Sequence, residues 1–531
     1  MHELRAVACI AALAGALVCQ TNTVAGLDGS LTNSTSPTQF GRRGTYPNGE
    51  TGMSYSYTMC NPGRVAIPWN APMNPDHPMF AYMVVRESNG RMEQITSPAT
   101  TYVKHSFSAA NTASTCGGTC TTTGTGLRVN CTDTYGASTN ANRFYLGPAD
   151  EIDPWTGIWN PVGSYFDRGD PDVGFPANAD GARSLSSTQT AAMDTVKNRV
   201  TLRDQDLLVP GRLFYCMHIV VRGESGDLHF NNFAHRQVTA TWNGSTAWTF
   251  ANTGVPFTQG TVLQQWAGST LAYARNGNDD GHFFVAVKVT QNPNGTWHYE
   301  YAVQNFDNHR GGASLRIPVD PSVTIANVGF RDTDLNPANE WPWFRQGGEL
   351  VFGAAANNPL NWNNLFNFWF DSDAPPAAGA VAIDQARLGN GGLTVSVQAR
   401  VPSAPASAVA MGAGCGSPAP VLAAVGRPTI PSASFGMSLG AAPGAGLALF
   451  ASLGEASVGV GNGCTQYLGT QSLATHGFYV ADGTGSASVP LPIPANPALE
   501  GLYLYWQAAQ LAPAGATMPL SNGLRIRIAT L

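Results

Sequence analysis

Residues 282–306 read HFFVAVKVTQNPNGTWHYEYAVQNF, and they decide the fold. The first run, 282–290, is rich in β-branched and aromatic residues. Asn292, Pro293, Asn294 and Gly295 then supply turn chemistry: fixed φ at proline, and tolerance of positive φ at glycine and asparagine. The second run, 296–306, alternates, with Trp297, Tyr299, Tyr301 and Val303 on one face. Two such runs joined by a short loop containing glycine read as a β-hairpin. Further strand-like runs follow at 313–319, 323–331, 349–353, 365–370, 380–386 and 393–401. Their spacing predicts an antiparallel sandwich of immunoglobulin-like size over 256–402. That stretch contains no cysteine, so its apolar core alone must hold it.

Outward from the hairpin, the chain divides into further β-rich parts. Strands are expected at 79–87, 101–107, 213–221 and 236–250, the last broken at Asn243-Gly244 in hairpin fashion. Residues 187–202 form the one modest helix candidate, and 197–202 could equally be a strand. Residues 402–420, PSAPASAVAMGAGCGSPAP, have linker composition. Strands at 487–493, 501–508 and 524–528 predict a small final β domain. The expected fold is mainly β: tandem β-sandwich-type domains, the middle one immunoglobulin-like, after an N-terminal signal peptide. The expected boundaries are 1–25 signal peptide, 26–255 disulfide-stapled β-rich domain, 256–402 sandwich, 403–420 linker and 421–531 C-terminal β domain.

The signal peptide rests on Arg5, the short apolar run 6–18 and the small residues around Ala25. Leu17 and Val18 before Cys19 do not fit a lipobox. No later segment has the length and apolarity of a membrane helix. An oxidising, secreted or cell-surface location follows, and there disulfides are expected. Cys415 and Cys464 should pair. Cys216 lies in an apolar strand and reads as a buried free thiol. Cys60, Cys116, Cys120 and Cys131 can pair in three ways, and zinc on Cys116, Cys120 and Cys131 is the competing reading.

Charged residues make up 12% of the chain and the net charge is −6, which argues against nucleic acid as a partner. Residues 116–157 form a long irregular stretch with three cysteines and several acids, and only 127–129 look strand-like within it. A loop of that length is stapled, binding or disordered. It offers Asp133 and Tyr135 as binding groups, with Asp150, Glu151 and Asp153 near its end. His77, His105 and His218 on flanking segments are the candidate metal ligands, although no recognised metal spacing is present. Such a set would suit a transition metal, whereas acidic loops suit calcium. Asp332-Thr333-Asp334 begins like a calcium loop, but Pro337 stands where that loop needs glycine and Trp343 where it needs glutamate. Asp167, Asp170, Asp172 and Asp180 form a looser acidic cluster. Trp341 and Trp343 are candidates for stacking on sugar rings; packing in the core is the alternative. Phe366, Phe368 and Phe370 alternate and read as core. Gly436-Met437-Ser438-Leu439-Gly440 lacks the strand, helix and downstream partners of a nucleophile elbow. Gly223-Glu224-Ser225-Gly226-Asp227 only faintly matches a protease loop.

The pieces Asp76-His77-Pro78, Lys104-His105-Ser106-Phe107, Cys131-Thr132-Asp133-Thr134-Tyr135 and Leu146-Gly147-Pro148 resemble a family of secreted bacterial β-rich proteins with no assigned activity. So do Asn294-Gly295-Thr296-Trp297-His298-Tyr299-Glu300-Tyr301 and Asn367-Phe368-Trp369-Phe370-Asp371. The final unit resembles C-terminal β modules of exported bacterial proteins that end in a Ser-Asn-Gly-Leu-Arg strand, here from Ser521. The resemblance implies export and β architecture and assigns no catalytic residue. The functional expectation is a secreted or surface non-enzymatic protein that binds glycan or another envelope component. The alternative is a metal-dependent secreted enzyme, such as a hydrolase, with its site in the N-terminal domain.

Overall fold

The computed structural model describes residues 23–113, 116–173, 178–277, 280–334, 336–355, 357–513 and 518–530. The expected signal peptide, 1–25, falls almost wholly outside them. The described chain is mainly β, built as a succession of antiparallel sheets.

In the first unit a long sheet runs in the order Leu146–Gly147, Val103–His105, Met79–Ser88, Arg212–Val220, Phe233–Trp242 and Trp248–Asn252. Two smaller sheets cover one of its faces. One holds Ser30–Asn33, Tyr57–Cys60, Cys131–Tyr135 and Thr112–Ala113; the other holds Val200–Arg203, Glu50–Ser54 and Thr38–Arg43. Tyr55, Tyr57, Phe80, Tyr82, Tyr215 and Met217 fill the space between. The sequence 187–202 divides into a helix, Ser187–Ala192, and a strand, Val200–Arg203. Ser186 caps the helix reciprocally with Gln189, which satisfies backbone donors on both sides of the first turn.

In the middle unit, Phe283–Gln291 and Trp297–Asn305 form the expected hairpin, with Val287 opposite Tyr301. Their sheet continues through Asn364–Ser372 to Ile325–Arg331. It faces a second sheet of Trp343–Gln346, Glu349–Gly353, Gly312–Pro318, Pro376–Gln385 and Thr394–Pro402. In the final unit, Ser407–Met411 pairs with Gly523–Arg527. Part of the stretch with linker composition is therefore a strand, because its alternating Ala, Val and Met residues lie along an open sheet edge.

The hairpin is buried on both faces. Phe283, Val285, Val287, Tyr299, Tyr301 and Val303 enter the sandwich core. Phe284, Ala286, Ala302 and Phe306 point the other way and meet Met83, Val85, Phe214 and Cys216 of the first unit. One apolar layer is thus shared by two units. Polar clamps fix its register: Arg91 grips Glu300 through two bonds of 2.7 and 2.8 Å and lies 3.7 Å over the Trp369 ring. Asn363 Nδ2 donates to Tyr82 O at 3.1 Å and Asn367 Nδ2 to Met92 O at 2.9 Å.

Residues 116–157 are less irregular than their composition implies. Cys131–Tyr135 is a strand paired on both sides. Thr132, Thr134 and Tyr135 favour a strand and only Asp133 disfavours one; pairing on both sides overrides that single residue. The bridges are Cys60–Cys116, Cys120–Cys131 and Cys415–Cys464, and Cys216 is a buried free thiol. Alkylation of the denatured, unreduced protein should therefore label Cys216 and none of the six bridged cysteines. Mass spectrometry showing Cys216 in a disulfide would contradict this arrangement.

Candidate functional site

The sequence-derived candidates separate into different surroundings. Tyr135 Oη accepts from Trp69 Nε1 at 2.9 Å and from the Phe107 and Ser108 amides at 3.2 Å, and donates to Ser108 O at 2.5 Å. Its hydroxyl therefore holds the loop in shape. Asp133 is buried, and burial raises its pKa against the pull of the Ala110 and Thr134 amides. The neighbouring Lys104 ammonium is also buried, 4.3 Å from the centre of the Tyr145 ring and 4.8 Å from that of Phe107. Burial pushes that amine well below its ordinary value. Trp341 is 3% exposed, stacks on Phe330 at 5.6 Å and donates Nε1 to Asn358 O at 2.7 Å. It packs the core and offers no free ring face. Trp343 is 48% exposed, on a sheet edge beside Phe344.

Of the three candidate metal ligands, two meet. His77 Nε2 lies 2.9 Å from His105 Nδ1, and His77 Nδ1 lies 2.7 Å from Asn74 O. Trp159 and Phe166 wall the pair. His218 sits elsewhere, among Phe233, Phe306 and Trp362. Burial lowers His77 to about 4 and His218 to about 3, so both imidazoles are neutral near pH 7. Among the described residues no three His, Cys, Asp or Glu side chains are arranged to hold a metal. The calcium-like loop uses its carboxylates on its own backbone: Asp332 Oδ1 accepts from Asp334 N, and Asp334 Oδ1 from Asn336 N.

The chemistry concentrates where the first two units meet. The Asp307 carboxylate has 0% exposure. It accepts from His229 Nδ1 of the first unit at 2.8 Å and from the His282 backbone N–H at 2.5 Å. His282 Nδ1 lies 3.1 Å from the same carboxylate. Burial alone would raise the Asp307 pKa, but the two histidines outweigh it and hold the carboxyl well below its ordinary range. Burial alone would likewise lower His229; Asp307 and the nearby Glu224 more than offset it and keep it above 6.5. Glu224 accepts from Gly29 N at 2.6 Å, and burial pushes it up to about 7. The Trp155 ring covers both histidines, with centroids 5.0 and 5.5 Å away. A Cβ at Gly226 would lie 1.7 Å from that ring; the glycine is there to admit the tryptophan.

Beside this lock a cleft of about 580 Å³ opens between the units. The end of the stapled stretch, Asp150 and Glu151, forms one wall together with Tyr102. Opposite stand Asp334, Asn339, Asn357 and Asn361, with Arg387 and His309 at the side. Trp362 anchors the base, donating Nε1 to Ala149 O at 2.8 Å. Arg387 is oriented by Asn361 Oδ1 at 2.6 Å and His309 O at 3.0 Å. Asn339 Oδ1 is buried without a donor among the described residues. Burial first, then the surrounding acids, raise Tyr102 to about 12, so its phenol stays a neutral donor. Burial raises Glu151 to about 7, against bonds from Tyr165 N and Trp159 Nε1. The region around 150–153 was singled out in the sequence for its acids. Asp307, Asn339, Asn357 and Asn361 were not, because nothing local marks them.

No protein-family model matches the chain, and no curated protein sequence matches it either. Among solved structures, the Actinomyces fimbrial adhesin FimA is similar over 49% of this chain and 97% of its own, at 13% identity and a TM-score of 0.15. The Bacillus cereus major pilin subunit BcpA is similar over 63% and 84%, at 10% identity and 0.16. The T6 backbone pilin of serotype M6 Streptococcus pyogenes is similar over 85% and 77%, at 7% identity and 0.17. Scores this low leave function to be argued from the chain's own residues.

Removing the Asp307 carboxylate leaves two buried imidazoles without their acceptor. Asp307→Ala should cost about 3–5 kcal/mol of stability, the scale for breaking a buried ionic pair. The pH dependence follows from the shifts. His229, raised, contributes fully below 6.5 and loses its contribution as pH climbs through its folded value. Asp307, lowered, contributes fully above 3.8 and loses its contribution as pH falls towards its folded value. The deficit of the variant in urea unfolding should therefore peak between 3.8 and 6.5 and shrink at alkaline pH. A deficit independent of pH would exclude the ionic lock.

Proposed function

We propose that this chain is a secreted or cell-surface, non-enzymatic protein that binds glycan or another envelope component, with the inter-unit cleft as its binding site. The observation that carries the reading is the composition of the cleft. Amide side chains, a neutral phenol, one oriented guanidinium, His309 and the acids Asp150, Glu151 and Asp334 line a hollow in the size range of small-molecule sites, roughly 300–1,000 Å³. Amides both donate and accept, which suits the hydroxyls of a sugar. Tyr102 also walls a neighbouring hollow of about 270 Å³ that holds Lys197 and Asp170, so an elongated ligand has a path past its ring. Three supports concern location. Three disulfides fit an oxidising compartment. The resemblance noted in the sequence implies export. Among the described residues no helix is long and apolar enough to cross a membrane.

The test is a glycan array probed with the full chain, followed by calorimetry on any ligand retained. Tyr102→Phe, which keeps the packed ring, and Arg387→Ala should each weaken binding about tenfold, the equivalent of ~1.4 kcal/mol, without changing the melting transition. Unchanged affinity in both variants would move the site away from the cleft. Retention of no glycan or envelope polysaccharide would sink the reading itself.

A further inference from the structure

A second hollow lies on the first unit, away from the junction. It is a groove of about 680 Å³ lined by Phe40, Phe144, Tyr145, Arg143 and Arg199, with hydroxyls from Ser138, Ser187 and Thr190. No acidic side chain lines it. Both guanidiniums are held in place by backbone carbonyls. Arg143 Nη1 donates to Met193 O at 3.0 Å and also to Asp194 O. Arg199 donates from Nε to Ala141 O at 3.0 Å, and from Nη1 to Phe40 O at 3.0 Å and Thr195 O at 2.6 Å. These bonds fix the two planes but neutralise neither charge. Nη2 of both arginines has no protein acceptor among the described residues. A third cation, Arg183, stacks 3.7 Å over the Phe144 ring and bonds only to the carbonyls of Leu185 and Phe144.

The nearest acid acting on Arg143 is Asp194. Its Oδ1 accepts from Val196 N at 2.9 Å and lies 3.9 Å from Arg43, so it is already engaged. Burial and the Arg143 charge lower Arg199 to about 10; two like charges are being held side by side. Such a pair is costly to assemble and becomes favourable when an anion enters. The guanidinium fork matches a carboxylate in two parallel bonds. The half-buried Phe40, Phe144 and Tyr145 would do nothing for a bare ion. A pyranose ring carrying a carboxylate would use both the aromatic walls and the cations.

We propose that this groove is a binding site for a carboxylate-bearing saccharide, with Arg143 and Arg199 holding the carboxylate and the Phe40, Phe144 and Tyr145 rings packing the sugar. It is separate from the cleft, and either site can exist without the other.

The experiment is calorimetric titration of the full chain with three probes: an oligogalacturonate, a neutral malto-oligosaccharide and inorganic sulfate. The oligogalacturonate should bind, more weakly as salt is raised, and the other two should bind at least about tenfold more weakly. Arg143→Gln combined with Arg199→Gln should reduce oligogalacturonate affinity at least about tenfold, the loss expected when charge-assisted bonds are removed. If that double variant fails to fold, Ser187→Asp serves in its place. It adds a negative charge to the groove at the first turn of its helix, where an acid is tolerated, and should weaken the same binding. Equal binding of the neutral sugar, binding of sulfate alone, or full affinity in the folded double variant or in Ser187→Asp would each overturn the proposal.

Discussion

Over their shared apolar layer, the first two units are tied at one corner by a carboxylate that does not meet water. An ionised Asp307 at 0% exposure is tolerable only if every lone pair finds a donor. Its donors come from both sides of the junction, His229 from one unit and His282 from the other. Neither unit alone completes the set. Trp155 must then cover the pair, Gly226 must lack a Cβ to admit Trp155, and Glu224 must tie the same corner to Gly29. The cleft inherits its geometry from this lock. Its two walls belong to different units, so their spacing is only as fixed as the junction itself.

The shared apolar layer was legible in the sequence to a reader who weighed continuous runs as heavily as alternating ones. MFAYMVV at 79–85, LFYCMHIVV at 213–221 and FFVAV at 283–287 are apolar at nearly every position. A strand with one wet face alternates; a run apolar throughout is buried on both faces. In 213–221 the odd positions, Leu213, Tyr215 and Met217, enter one core, while Phe214 and Cys216 enter the next. The hairpin, the sandwich strands and the buried thiol could all be read from patterns within short windows. The lock could not. His229 and Asp307 are 78 positions apart and lie in unremarkable local contexts, and their meaning exists only once the sheets stack. Trp341 shows the converse limit. Glu340-Trp341-Pro342-Trp343 sounds like an exposed aromatic loop, yet Trp341, ahead of the strand, turns inward onto Phe330 while Trp343, the first residue of the edge strand, stays half exposed; residues two apart in one continuous strand would share a face.

The distribution of charge separates structure from function in this chain. With 12% charged residues, most of the ionic groups close to the core are paired within the protein. Arg42 binds Asp204, Arg86 binds Glu93, Arg310 binds Asp280 and Arg316 binds Asp384. Such pairs position strands and offset the charge on both sides. The groups that remain uncompensated are informative for that reason. A guanidinium held only by carbonyls keeps its charge, and a buried amide oxygen without a donor keeps its acceptor. One example of each kind lies in a hollow: the first in the groove around Arg143, the second in the cleft at Asn339. The net charge of −6 conceals this, because a sum over the chain cancels local sign. A polymer with one acidic group per ring would meet attraction at the groove but the acids Asp150, Glu151 and Asp334 in the cleft, whereas a neutral sugar would find amide partners in the cleft.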